Sequence, residues 1–242
     1  MCGRFFVTSS PETFREAYGY DDRPNFPARH NVAPTQPVAV VTAEHGRRRF
    51  VLMRWGFLPA WVKDPDDFPL VINARIETAA EKPSFRNALR YRRCIVLADG
   101  FYEWRRGGPR GQAPYAIRRA DGRPMTLAGL WETWSSRDGS EIDTAAIVTC
   151  GANGLLAAIH ERMPAILSPE GVERWLDMRD VDAGQAAALC RPAPEEWLDL
   201  APASRRVNDV RHDEAGLLRP DEDAPAAPRP PEPKVEAQGS LF

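Results

Sequence analysis

The chain has 242 residues, 43% of them hydrophobic, enough to bury one good core or two small ones, and no apolar run approaches a membrane span. Its formal net charge is −2; taking the three basic and five acidic residues from Arg219 onward out of the 32 and 34 leaves 29 of each sign. That balance excludes a blanket polycation, yet it permits a local arginine-lined groove of the kind that binds short single-stranded nucleic acid.

In chain order, "MCGRFFV" reads as a first strand, and Ser10-Pro11 as an N-cap with proline at the first helical position, opening a helix in "PETFREAYGY". "NFPARHNVAPTQ" reads as a proline-punctuated loop. "PVAVVT", a turn at "AEHGR" and "RFVLMRWGF" predict a hairpin. A strand in "PLVINARIET" and a short helix in "PSFRNALRY" follow. "RRCIVLADGFYEWRR", the loop "GGPRGQ" and "APYAIRR" predict a second antiparallel pair, which "RPMTLAGLWETW" and "TAAIVTC" extend. Short helices are expected in "GANGLLAAIH", in "SPEGVERWLDM" after another Ser-Pro N-cap, and in "DAGQAAALC". Most strands are joined by turns rather than by long helices. The expected fold is therefore α+β: a mainly antiparallel, curled or barrel-like sheet with peripheral short helices. Residues 219–242 are proline-rich, acidic and nearly free of apolar side chains, which predicts a disordered tail behind a domain at 1–218.

The N-terminus lacks the charged and apolar regions of a signal peptide, so a cytoplasmic protein is expected. The four cysteines (Cys2, Cys94, Cys150, Cys190) form no CxxC pair and have no histidine-rich partner spacing. Neither disulfides, nor a metal, nor a cofactor is expected. Cys94 and Cys150 lie in apolar strands and read as core residues.

Four polar residues stand where the pattern calls for something apolar or for a special turn. Cys2 follows the initiator methionine. If Met1 is removed, Cys2 carries an α-amine and a thiol on one residue, with reference pKa values of about 7.7–8.0 and about 8.5. Asn73 interrupts the apolar run "PLVINARIET", Glu103 lies among aromatics in "DGFYEWRR", and His160 ends a short apolar helix. Each also has a plain reading. A terminal Cys can belong to a frayed end, a buried Asn can brace a turn, a strand Glu can pair with an arginine, and a helix-terminal His can sit against the dipole.

"MCGRF", "HNVAPTQ", "RWGFLPAW", "INARIETAAEKPSFR", "RRCIVLADGFYEW", "IHERMPAILSPE" and "PASRRVNDV" occur in that order between Met1 and about Leu218. Together they resemble the SOS-response-associated peptidase (SRAP) family, whose members link covalently to abasic sites in single-stranded DNA. His30 stands where the family pattern leads one to expect an aromatic residue, and it is assigned no role. The resemblance implies that Cys2, freed of Met1, forms a thiazolidine with the opened abasic sugar, since no internal cysteine has a free amine. It implies that Glu103 moves protons, that Asn73 holds the amine and sugar oxygens, and that His160 acts as acid or base at the sugar and can assist β-elimination. Arg4, Arg75 and Arg162 would bind phosphates, while Trp55, with Asn31 and Pro34, would stack on or wedge the neighbouring bases. A monomer associated with the nucleoid is implied, with single-stranded abasic DNA as partner.

Two rival readings remain from the residues alone: an N-terminal-nucleophile amidohydrolase of the glutaminase type, and a non-covalent reader of single-stranded DNA. Proteolysis of other proteins is a third, although the only cleavage this chemistry needs is loss of Met1. At the far end, "QGSLF" (Gln238 to Phe242) resembles the short peptide by which bacterial repair proteins dock on the sliding clamp, with Gly239 in place of the usual leucine.

Overall fold

Strands dominate the α+β chain, whose computed structural model describes residues 2–108, 111–222 and 224. The clamp-like pentapeptide Gln238 to Phe242 and nearly all of the expected tail lie outside the described residues. After β1 (Arg4–Val7), Ser10 accepts a hydrogen bond from Thr13 N–H and Pro11 fills the first turn, so α1 (Pro11–Tyr18) begins where the sequence predicts. It stops at Gly19, whose φ of +63° is a left-handed conformation that other residues rarely adopt.

β2 (Arg29–Val32) comes next, then the hairpin of β3 (Pro37–Glu44) and β4 (Arg47–Trp55), whose turn places both His45 and Gly46 at positive φ. β5 (Asn73–Arg75), α2 (Ile76–Ala79) and α3 (Pro83–Tyr91) lead into β6 (Arg93–Ala98), β7 (Gly100–Gly108) and β8 (Gly111–Arg119). The two longest strands, β9 (Met125–Ser135) and β10 (Glu141–Gly151), precede α4 (Gly154–Ala157), β11 (Arg162–Pro164), α5 (Pro169–Leu176), α6 (Ala183–Ala187) and β12 (Leu198–Pro202).

β4, β3, β6, β9 and β10 close into a five-stranded barrel. Its pairings are antiparallel except for a parallel seam that pairs Arg54 and Trp55 of β4 with Thr144 and Ala145 of β10. The second sheet, in the order β12-β8-β7-β1-β2, is antiparallel throughout. Period-2 alternation divides its side chains. Phe5, Phe101 and Ile117 join the large core shared with the barrel, while Phe6, Tyr102 and Ala116 pack with Ala203, Val207 and Leu217 from the C-terminal segment. Both faces are thus covered. Where Phe6 crosses β7 the residue must be glycine, because a Cβ on Gly100 would lie 2.2 Å from the Ile117 carbonyl oxygen and 2.3 Å from the Phe6 ring.

Three short strands escape the sequence reading. β2 lies inside what reads as a loop, and β11 and β12 carry no alternating pattern. They are extended because β1, β10 and β8 offer them unpaired backbone. Conversely, the run "PLVINARIET" keeps only Asn73–Arg75 as strand before α2 begins.

One buried charge pins the helices to the barrel. Arg93 at the start of β6 is fully buried, and its guanidinium donates to the carbonyls of Trp175 (2.6 Å), Leu89 (3.0 Å), Asp177 (2.7 Å) and Val181 (2.9 Å). These carbonyls include the exposed ends of α3 and α5, where a cation also meets the negative end of the helix dipole. Arg93→Met keeps most of the volume but strands four acceptors, so it should lower unfolding free energy by about 3 kcal/mol or more. Arg93→Lys should recover only part, since an ammonium cannot reproduce the planar fork. Urea denaturation of the three proteins measures both.

Candidate functional site

β10 outruns the barrel. Beyond the seam with β4, its second half takes β5 on one side, pairing Ile147 with Asn73 and Thr149 with Arg75, and β11 on the other, pairing Gly151 with Arg162. Residues far apart in sequence are thereby set on the two flanks of one strand. β1 of the other sheet reaches the same place, fixed by the Phe5 ring standing edge-on to Trp55 at 5.1 Å.

Cys2 lies just before β1 and is fully buried. Asn73 Nδ2 donates to the Cys2 carbonyl at 3.0 Å, and the thiol donates to the Arg4 carbonyl at 3.8 Å. β1 pairs Arg4 with Tyr102, the residue next to Glu103, and the Glu103 charge acts on the Cys2 thiol. The Glu103 carboxylate, itself buried, accepts from the Trp104 N–H at 3.2 Å. Burial first, and the charge of Glu103 second, push the Cys2 thiol well above its ordinary range. Both effects favour the thiol over the thiolate. The Asn73 Oδ1 is buried and has no hydrogen-bond partner among the described residues.

His160 joins from the turn before β11. Its Nδ1 accepts the Arg162 N–H at 3.0 Å, which leaves the ring proton on Nε2. Arg162 is not presented to solvent as the sequence reading expects. Its side chain is 12% exposed, and its guanidinium grips both Glu77 carboxylate oxygens, at 2.7 and 2.9 Å, and the Thr149 carbonyl at 2.8 Å. Arg162 in turn holds the Glu77 carboxyl below the usual carboxylate range. Arg75 is different: it is exposed, and its guanidinium makes no hydrogen bond or ion pair among the described residues.

Asn31 and Trp55, for which base contacts are expected, are both buried and engaged within the chain. Asn31 is fully buried, and its Nδ2 donates to the carbonyls of Val207, Asp209 and His212 while its Oδ1 accepts from Arg4 Nη1 at 2.9 Å. Trp55 is 1% exposed and donates to the Ile72 carbonyl at 2.9 Å. Both are braces. Asn31 ties β2 to the C-terminal segment, and Trp55 positions the residue before Asn73. Arg4 is drawn into the same bracing, donating also to the Val207 carbonyl at 2.7 Å. Pro34 is half-buried in the turn after β2.

Two residues were missed in the sequence. Glu77 lies 85 positions from Arg162, and nothing local marks the pair. Of the two tryptophans in "RWGFLPAW", it is Trp61 that is exposed, at 59%, with its ring edge-on to Phe68 on the loop leading to β5. Its flanking prolines and loop position were the available signal.

At this end of the barrel the α+β fold brings Cys2 together with Asn73 and Glu103, with His160 on the turn before β11. The family model for SOS response associated peptidase (SRAP) matches residues 1–210, and the chain belongs to that family. It is 34% identical over 221 residues to the abasic site processing protein YoqW of Bacillus subtilis, covering 90% of this chain and 99% of that one. It is also 34% identical over 230 residues to the abasic site processing protein YedK of Escherichia coli, covering 91% and 100%. A crystal structure of a protein from Bacteroides thetaiotaomicron superposes with a TM-score of 0.81 at 26% identity, covering 91% of this chain and 100% of that chain.

The bracing role of Asn31 is open to direct test. Asn31→Ala strands three carbonyls and removes one of the acceptors of Arg4, so it should destabilise the fold by about 2–4 kcal/mol. Hydrogen exchange should rise first across residues 205–213. A loss of DNA affinity with unchanged stability and exchange would instead mark Asn31 as a ligand-contacting residue.

Proposed function

We propose that the protein shields abasic sites in single-stranded DNA by a covalent thiazolidine link from Cys2, formed once Met1 has been removed. The observation that carries this reading is the junction of the two sheets at Cys2, where Asn73, with its Oδ1 unpartnered among the described residues, bonds the Cys2 carbonyl and the Glu103 charge acts on the thiol. The names of the curated relatives, abasic site processing proteins, support the substrate class.

The opened deoxyribose presents an aldehyde. The freed Cys2 amine adds to its carbon, giving a carbinolamine, and loss of water leaves an imine. The neutral amine attacks; Glu103 takes a proton from the nitrogen once the C–N bond has formed and returns it to the departing hydroxyl. The thiol then adds to the imine carbon. The S–H proton passes by way of Glu103 to the imine nitrogen, so the ring closes with no net change of charge. Because burial holds the sulfur as a thiol, this last transfer is where a base is most needed. Asn73 Oδ1 can accept from the amine or a sugar hydroxyl, which would satisfy the atom now left unpaired. His160, with its proton on Nε2, can donate to a sugar oxygen; to act as base in β-elimination of the strand its Nδ1 must first release the Arg162 N–H. Beside Asn73, Arg75 is a guanidinium free to take a phosphate, and Trp61 is an exposed ring able to take a base; Arg162 would engage DNA only by exchanging Glu77 for a phosphate. An adduct of this kind protects a lesion exposed during replication, in keeping with the damage-response character of the family.

Mass spectrometry and denaturing gels test the link. Native protein with uracil-containing single-stranded DNA and uracil glycosylase should give an adduct that survives boiling in detergent. Protein that retains Met1 or carries an uncleaved tag should give none. Cys2→Ala keeps a free amine, so its adduct should be trapped only when borohydride reduces the imine. A tagged protein that crosslinks as well as the native one would sink the mechanism.

Kinetics separate the roles. Glu103→Gln should slow crosslinking at saturating DNA by about 10²–10⁴-fold with little change in affinity. Arg75→Ala should do the opposite, weakening binding and reducing the log–log salt slope by about 0.7 while leaving the saturated rate intact.

A further inference from the structure

Beyond the site, an acid-free stretch near it forms a surface of its own. No aspartate or glutamate occurs between Lys82 and Ala98. α3 buries Phe85, Ala88 and Leu89 against the barrel, so the 3.6-residue period turns Lys82, Arg86 and Arg90 outward along one row. All three are exposed, and none makes an ion pair or hydrogen bond through its side chain among the described residues. Successive cations are about 6 Å apart along the axis, and the row is about 12 Å long. Other arginines near the surface are neutralised: Arg15, Arg49, Arg92, Arg118, Arg119 and Arg206 each pair with a carboxylate.

At the far end of the row an aromatic platform is held ready. The Tyr91 ring is 55% exposed, and the Arg90 guanidinium sits 4.9 Å from its centroid. Unpaired cations in line with an exposed ring are what a single nucleic-acid strand needs: charge for the phosphates and a π-face for a base. The row also starts in the right place. α2 directly follows Arg75, packs on both α3 and β10, and hands the chain to Lys82.

From this placement we infer that Lys82, Arg86, Arg90 and Tyr91 of α3 form a second contact surface for single-stranded DNA, carrying the strand away from the reaction site. The inference rests on the chain being a DNA-binding protein and not on the covalent chemistry. A base contacted at Tyr91 lies several nucleotides from the lesion, so the surface acts only on strands long enough to reach it.

The test uses the full chain and non-covalent binding of undamaged oligothymidylate, 30 nucleotides against 6, by fluorescence anisotropy over a salt series. Lys82→Glu/Arg86→Glu/Arg90→Glu should weaken binding of the 30-mer at least tenfold and lower its log–log salt slope by about 2, the value for three phosphates at about 0.7 each. The 6-mer should change far less. Tyr91→Ala should weaken the 30-mer alone by about 5- to 100-fold, the range for one lost stacked base, with the salt slope unchanged. A control with the same charge change, Arg47→Glu/Arg123→Glu/Arg179→Glu on other exposed elements, should leave the length dependence as it is. Equal losses in the two triple variants, or equal losses on 30-mer and 6-mer, would overturn the surface. Crosslinking of a short abasic oligonucleotide, run in parallel, reports the covalent reading separately. All α3 changes are solvent-facing, and thermal unfolding confirms that the variants fold.

Discussion

The hydrogen bond from Asn73 to the Cys2 carbonyl joins the two sheets at the point where chemistry is possible. It can form only because β10 is longer than the strand it closes against. β4 leaves β10 after Ala145, and the backbone so vacated is filled by three residues of β5. Were the seam longer, Asn73 would have no strand to join. Were β1 not wedged between β7 and β2, Cys2 would be a loose end. The site is thus a consequence of a mismatch in strand length, covered by the N-terminal segment of the other sheet.

Burial gives that junction its character. An exposed terminal thiol would be partly ionised near neutrality and open to any oxidant. Here the sulfur is out of water and beside a carboxylate, and both effects oppose the thiolate. Reactivity then depends on who moves the proton rather than on a standing anion, which suits an amine-first sequence ending in ring closure. It suits a glutaminase less, since there the thiolate must attack first.

The parts of this arrangement readable in the sequence are those with local causes. Ser10-Pro11 and Ser168-Pro169 start helices because the hydroxyl and the ring act within one turn, and both caps stand where expected. Asn73 and Glu103 were noticeable because each breaks an apolar pattern. What sequence hid is relational. Asn31 and Trp55 look like ligand-facing polar and aromatic residues until their partners, Val207 and Ile72, are known to be carbonyls of the chain itself. Glu77 and Arg162 are unremarkable singly and decisive together. β2, β11 and β12 have no strand signature because neighbours, not their own side chains, hold them extended.

The same distinction orders the cations of a domain with no net charge to draw in a polyanion. Arg93 and Arg162 are committed to carbonyls and to Glu77, where they set geometry. Arg4 leans the same way through Asn31 and Val207. A guanidinium that already has its acceptors gains little from a phosphate, because the exchange trades one set of charge-assisted hydrogen bonds for another. An unpaired one gains the whole contact and releases a counterion. In such a protein affinity is decided by which arginines were left without acceptors, and Arg75 beside Asn73 is one of them.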